Sequence, residues 1–415
     1  VEKYEIEYEI EKMPKEEITL PFVEKLSFSE NKAILSLKDL TLQALEKNYV
    51  NRILKLLEEK IKAQYMHGKA EFSRLIKESE PRTHKYAYKK DPTEDLVKEL
   101  WVKHFGRGIW TILPSYAALM HAIEELVIDR IAKKLGFLEA YYPKLIPLEV
   151  MRRKGQLTGI PNEIYWVCPP KTRDPKAWED YSDFVKVTQI TAPERLYEKL
   201  DYPEFGLAYA QCEPFYDIFA GRILDIEKLP LKLYDRYGPT YRHESGGLKG
   251  LERLTEFKRV EFTWIGSKDD VIAIRDDVRD AAIEIIDKIF DVTWKLEATT
   301  AVYLEHAGER EEAESKDYVK TYDLSVILPF ETASRKEKEL EIASFHVHED
   351  FYAKHFRWKE RKNRLLWSGC AGVSPSRWAY VFIVRYGLNY DNWPSEIKKY
   401  IGDKLPSINK DIFID

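Results

Sequence analysis

Tyr241-Arg242-His243-Glu244, the polar run Ser245-Gly246-Gly247-Leu248-Lys249-Gly250-Leu251-Glu252-Arg253, and then Phe257-Lys258-Arg259-Val260-Glu261 decide how this chain reads. The pattern predicts two strands, over 231–243 and 256–265, joined by a glycine-containing loop. By composition alone this is a plain hairpin connection, and Arg242 is an ordinary surface arginine. Its company gives it more weight. Gln211-Cys212-Glu213-Pro214-Phe215 lies upstream and Ser368-Gly369-Cys370-Ala371-Gly372 downstream. Two soft thiolates, a carboxylate and a phosphate-gripping arginine in one site would hold a metal beside a nucleotide. Spacing by itself favours inert burial for both cysteines, because no Cys-x-x-Cys pair exists. Cys168 has no such context and reads as a core or surface residue.

Working outward, 415 residues with 44% apolar content can fill two or three domains. A net charge of −5 excludes a histone-like polycation, so any nucleic-acid contact must use a local patch. No apolar run approaches the roughly 18–20 residues of a membrane span, and Val1-Glu2-Lys3-Tyr4 does not read as a secretory leader. Three cysteines far apart do not make a disulfide framework. A cytoplasmic protein with no membrane partner is expected.

Residues 3–11 alternate apolar and charged, the period of a half-buried strand, and 18–28 and 33–38 predict two more. Residues 40–64 carry Leu and Ile at helical spacing, and Pro81 to Pro92 reads as a linker. Residues 1–92 are therefore expected to be a small α+β appendage. Its first 50 residues have an acidic excess and residues 51–90 a basic one. This is either a solvated helix face or a docking surface for an RNA backbone.

Residues 93–415 are expected to form one larger domain. Residues 93–135 read as helical, interrupted near Gly106-Arg107-Gly108 and Pro114, with 115–135 strongly amphipathic. Further strands are expected over 340–348 and 364–369, and helices over 268–291 and 374–386. Strands dominate the centre without a βαβ rhythm, which predicts an α+β domain with an antiparallel sheet flanked by helices.

Three blocks in order now resemble a known family. Gly136-Phe137 to Pro143 is similar to motif 1 of the class II aminoacyl-tRNA synthetases. Tyr241-Arg242-His243-Glu244 through Glu261 is similar to motif 2, and Gly372 with Arg377 and an apolar helix to motif 3. The resemblance spans roughly 100–415 and is closest to the atypical, zinc-dependent seryl-tRNA synthetases of some archaea. Ordinary seryl enzymes hold the serine amino group with Thr-x-Glu. Ala210-Gln211-Cys212-Glu213-Pro214 stands there instead, with cysteine in place of glutamate. Glu341-Ile342-Ala343-Ser344 through Asp350-Phe351-Tyr352-Ala353 is similar to their Glu-Ile-Ser-Ser…Asp-Phe-Gln-Ala.

The resemblance implies a Zn2+ held by Cys212, Glu261 and Cys370, with its open position taking the α-amino group of serine or another small amino acid. It implies ATP bound by Arg242 at the α-phosphate and by Glu244 at the adenine amino group. Phe257 would stack on one adenine face, and Arg377 would lie on the other or on the γ-phosphate. Glu341, assisted by Ser344, would hold Mg2+. Arg259, Ser344 and His346 would face the amino acid. In the motif 2 loop, Lys249 and Arg253 would touch phosphate of ATP or of the tRNA acceptor end. Motif 1 implies a homodimer. An insertion near 295–320, including Glu309-Arg310-Glu311-Glu312-Ala313-Glu314, would order over the bound amino acid.

His346, His348 and Asp350 alternate and mimic a metal triad, but a rise of roughly 3.3 Å per residue sets the outer two about 13 Å apart. Two departures stand out: an appendage shorter than the family's amino-terminal domain, and Ser344-Phe345-His346 where its Asn-x-Ser pair contacts serine. Two rival readings follow, a paralogue that loads a carrier protein and a silent paralogue that binds RNA or protein. The appendage favours tRNA over a carrier, and Arg242, Glu244, Glu341 and Arg377 argue against silence.

Overall fold

The computed structural model describes residues 4–65, 73–244, 248–300, 318–331 and 338–412, and the chain divides at 71/72 into two units. In the first, among the described residues, strand Lys32–Leu37 pairs antiparallel with Tyr4–Glu9 on one side and Val23–Ser29 on the other. Alternation puts Ala33, Leu35 and Leu37 on the covered face. Ile53, Leu57 and Ile61 of helix Tyr49–Tyr65 recur at helical spacing and close over them.

The second unit is built on an eight-stranded sheet among the described residues. Its order is Ser73–Glu78, Trp294–Thr299, Thr321–Ile327, Glu339–Glu349, Trp367–Val373, Val260–Gly266, Leu231–Asp235 and Leu138–Glu139. All neighbours are antiparallel except the last pair. This is the expected α+β arrangement, a mostly antiparallel sheet flanked by helices. The central strands Val260–Gly266 and Trp367–Val373 are buried along their whole length. Helix Lys268–Ile285 starts where Ser267 and Asp270 cap each other reciprocally, a device that stabilises a helix start by about 1 kcal/mol. It packs on these strands with helix Pro375–Tyr386 nearby, and Trp264, Phe290, Trp378 and Phe382 fill the core. Each such side chain contributes roughly 1.5–3 kcal/mol.

Three expectations change. The appendage ends at 71 rather than 92, because Ser73–Glu78 is an edge strand of the large sheet, paired with Trp294–Thr299. Residues 93–113 are not mainly helical: after the short helix Thr93–Lys98, Val102–Gly106 and Ile109–Ile112 form a hairpin. The β-branched and aromatic run Ile109-Trp110-Thr111-Ile112 favours strand there. The predicted helix over 40–64 is broken into Leu42–Glu46 and Tyr49–Tyr65. The insertion expected near 295–320 falls mostly on 301–317, and the loop residues Ser245-Gly246-Gly247 on 245–247, both outside the described residues. No helix among the described residues is long and apolar enough to cross a membrane.

Candidate active site and metal centre

Strands Glu339–Glu349, Trp367–Val373 and Val260–Gly266 lie side by side, and their register builds the site. Ser344 pairs with Gly372, and Gly372 with Glu261; one step along the same face, His346 pairs with Cys370, and Cys370 with Thr263. Cross-strand partners share a face that repeats every second residue, so the five side chains line one surface and Gly372 leaves a gap in it. Cys212 arrives from outside the sheet, at the N-cap of the short helix Glu213–Ile218.

The sulfurs of Cys212 and Cys370 and a carboxylate oxygen of Glu261 all lie within 4.8 Å of one another, and all three residues are buried. Neither carboxylate oxygen of Glu261 accepts a hydrogen bond, although the Arg259 guanidinium sits 3.0 Å from Oε2. Burial pushes the Glu261 carboxyl up to about 8 against the pull of Arg259. A hydrogen bond from Cys370, aided by the Lys154 ammonium and opposed by burial, brings the Cys212 thiol down to about 6, while Cys370 is pushed up. Unsatisfied buried oxygens beside two thiols fit a soft divalent cation, which would displace the remaining protons. Cys168 is half-buried and takes no part in the cluster.

Arg259 lies across the sheet because position 372 is glycine: a Cβ there would come within 1.8 Å of its Nη2. His346 bridges Ser344 Oγ at 3.1 Å and Thr321 Oγ1 at 3.1 Å, and burial, with the cations Arg259, Arg275 and Lys154, lowers its pKa to about 3. The predicted amino-acid residues Arg259, Ser344 and His346 thus stand in one cluster with the cysteines.

Two neighbours escaped the sequence reading. Lys154, only 2% exposed, donates to Cys212 Sγ at 3.2 Å. His348 places Nε2 3.5 Å from Cys370 Sγ and Nδ1 3.2 Å from Ser368 Oγ; burial first, then His346 and Lys154, hold its pKa far below the usual range. Only its alternation with His346 hinted at this position.

A second group lies beyond the ends of these strands: Arg242 follows strand Pro239–Tyr241, Phe257 stands on its partner Glu256–Lys258, and Arg377 on helix Pro375–Tyr386. Arg242, Glu244, Glu252, Leu254, Phe257 and Arg377 line one cleft. The Arg242 guanidinium is held 4.5 Å over the Tyr209 ring and 5.6 Å from the Phe257 ring, and its buried Nε has no hydrogen-bond partner. An arginine oriented by two rings with donors to spare is ready for an anion. Arg377 donates to the backbone oxygens of Glu341, at 2.7 Å, and Glu252, at 3.2 Å. Glu341 itself is exposed at the start of its strand. Glu244 is paired with Arg253 at 2.5 Å, and Lys249 reaches the Glu331 backbone oxygen at 2.6 Å.

Residues 196–377 match the model of the tRNA synthetase class II core domain (G, H, P, S and T). The type-2 serine–tRNA ligase of Methanococcoides burtonii is 36% identical over 93% of this chain and 76% of its own length. That of Methanothrix thermoacetophila is 38% identical over 86% of this chain and 70% of its own length. The Methanopyrus kandleri seryl-tRNA synthetase, solved in complex with A. aeolicus tRNASec, superposes with a TM-score of 0.87 at 32% identity, covering 98% of this chain and 80% of that one. A class II core with three ordered motifs, a matching fold over nearly the whole chain and this level of identity have one meaning: the chain belongs to the type-2 serine–tRNA ligase family.

Proposed function

We propose that this protein activates serine with ATP as seryl adenylate and transfers it to tRNA, on a site where Cys212, Glu261 and Cys370 hold a Zn2+. One observation carries the reading: the two halves of the site share their scaffolding. Strand Trp367–Val373, which bears Cys370, runs directly into helix Pro375–Tyr386, which bears Arg377. Glu261 follows Phe257 closely across two adjoining strands. An amino group held at the cysteines therefore has its carboxylate directed toward a nucleotide in the Arg242 cleft.

When bound, the zinc supplies a Lewis-acid position for a free α-amine, which orients the substrate and rejects acids without one. The serine carboxylate then attacks the α-phosphorus of ATP, forming the mixed anhydride and releasing pyrophosphate. Two anions must approach each other, and Arg242 reduces their repulsion with its planar fork. Phe257 and Arg377 flank the adenine, Glu244 accepts from its amino group, and Glu341 with Ser344 supplies oxygens for Mg2+. Arg259 and His346 border the amino acid. No protein nucleophile is needed, so positioning and charge stabilisation supply the rate. In the second half, a terminal ribose hydroxyl of tRNA attacks the adenylate carbonyl and AMP departs. A homodimer through the segment before Pro143 and a cytoplasmic setting belong to the same reading.

Serine-dependent exchange of pyrophosphate into ATP, run across the standard amino acids with and without tRNA, tests it together with the metal content of Cys212→Ala. Serine is expected to be the best substrate, and Cys212→Ala to lose both metal and exchange. Exchange with no amino acid, or an unchanged metal content in Cys212→Ala, would overturn the corresponding half.

A further inference from the structure

Lys154 ends helix Leu148–Lys154, and Gly155, in the left-handed region at φ 84°, turns the chain so that Gln156 opens the next helix. In sequence it looks like one of three basic residues complementing a helix C-terminus, with Arg152 and Arg153. Those two pair with Glu149 on the outside. Lys154 instead turns inward and is 2% exposed, a rare state for a lysine unless it is paired. Its ammonium lies 3.2 Å from Cys212 Sγ, 3.3 Å from Glu213 Oε1 and 5.9 Å from the centre of the Tyr216 ring. Glu213, wholly buried, is fixed in turn by Gln156 Nε2 at 2.9 Å and by the Ala210 N–H at 3.1 Å.

We infer that Lys154 is a positioning residue for the metal: its ammonium, anchored by Glu213, donates to the Cys212 thiolate and fixes both the place and the donor strength of that ligand. The inference rests on the zinc reading above. Placement supports it: each buried cation stands beside one ligand of the cluster, Lys154 at Cys212 and Arg259 at Glu261. A hydrogen bond to a thiolate draws density from the sulfur, leaving the metal more receptive to an incoming amine. Partners that orient a ligand in this way typically govern metal affinity by roughly 10–100-fold.

The test uses the full-length protein loaded with Zn2+ or Co2+, with chelator competition for affinity and the thiolate-to-cobalt charge-transfer band as the spectroscopic readout. Lys154→Met is expected to bind zinc roughly 10–100-fold more weakly and to shift the cobalt band to longer wavelength. Lys154→Arg should recover part of both. Lys154→Met/Glu213→Gln removes the buried countercharge as well, so it addresses folding: if lysine only neutralises Glu213, this variant regains wild-type affinity and band position, and the inference fails. Persistence of the weak binding and shifted band in the double variant supports it. Unchanged zinc affinity and band in Lys154→Met also overturn it. If the unaltered protein takes up neither metal, it is the zinc reading itself that fails.

Discussion

Gly372→Ala puts the geometry of the proposed amino-acid pocket to a quantitative test. The new Cβ would stand 1.8 Å from Arg259 Nη2, 2.7 Å from Cζ and 2.9 Å from Nε. Comfortable contact needs about 3.5 Å, so the guanidinium must withdraw by well over an ångström. Its 3.0 Å approach to Glu261 Oε2 is then lost. Residues in direct contact are coupled by about 0.5–3 kcal/mol, and burial puts this ion pair in the upper part of that range, about 1.5–3 kcal/mol. At about 1.36 kcal/mol per decade, this predicts a fall in serine kcat/KM of roughly 10- to 150-fold. Pyrophosphate exchange at varied serine measures it, with thermal midpoints to show that the fold survives. The interaction is specific, so Arg259→Ala/Gly372→Ala should be little worse than Arg259→Ala alone, a strong departure from additivity. If Gly372→Ala stays within about twofold of the parent, or the two losses simply multiply, Arg259 does not occupy the place argued for it.

Arg242→Ala should lower exchange by roughly 100-fold or more while leaving metal content untouched, since removing one transition-state donor typically costs that much; retained exchange would disqualify Arg242. Removing residues 1–71 leaves the large sheet with its edge strand Ser73–Glu78. Serine activation should persist in that variant and charging of tRNA fall sharply, whereas unimpaired charging would strip the first unit of its role. Glu360 is held down to about 2, first by its hydrogen bond to Arg364 and then by the Arg364 and Lys362 N–H groups, with burial opposing. Its folded pKa lies below its unfolded one, so this stabilisation is complete above about 4.5 and disappears as pH falls through about 2. Glu360→Gln should therefore be less stable than the parent near neutrality and show a shallower acid branch in thermal midpoints taken from pH 6 to 2; parallel branches would contradict that origin.

Much of the site was legible because each residue came with a neighbourhood. Cys212, Glu261 and Cys370 stand beside ordered motifs, and Arg242 and Phe257 flank a loop, so family likeness located what spacing could not. The strand-rise argument set aside His346, His348 and Asp350 as a triad. It could not see that His348 alone reaches Cys370, since that contact runs between strands rather than along one. Lys154 was hidden for a different reason: helix-end lysines usually point to solvent, and only tertiary burial distinguishes this one. Ser73–Glu78 is exposed along its length and has no alternating pattern, so its place at the sheet edge left no trace in hydropathy. The hairpin over 102–112 was misread because an apolar stretch between helical segments does not announce its period.

The three donor residues of the cluster come from a loop at 212 and from two strands that meet only when the sheet is assembled. Cys212 and Cys370 also sit together among buried apolar side chains, with Phe215, Tyr216 and Tyr352. A cation held there works as a cross-link: it closes two long stretches of chain at once, much as a staple of covalent bonds would. If Cys212, Glu261 and Cys370 hold zinc as proposed, metal shortage would surface as proteolytic nicking around 205–219 before it surfaced as slow catalysis.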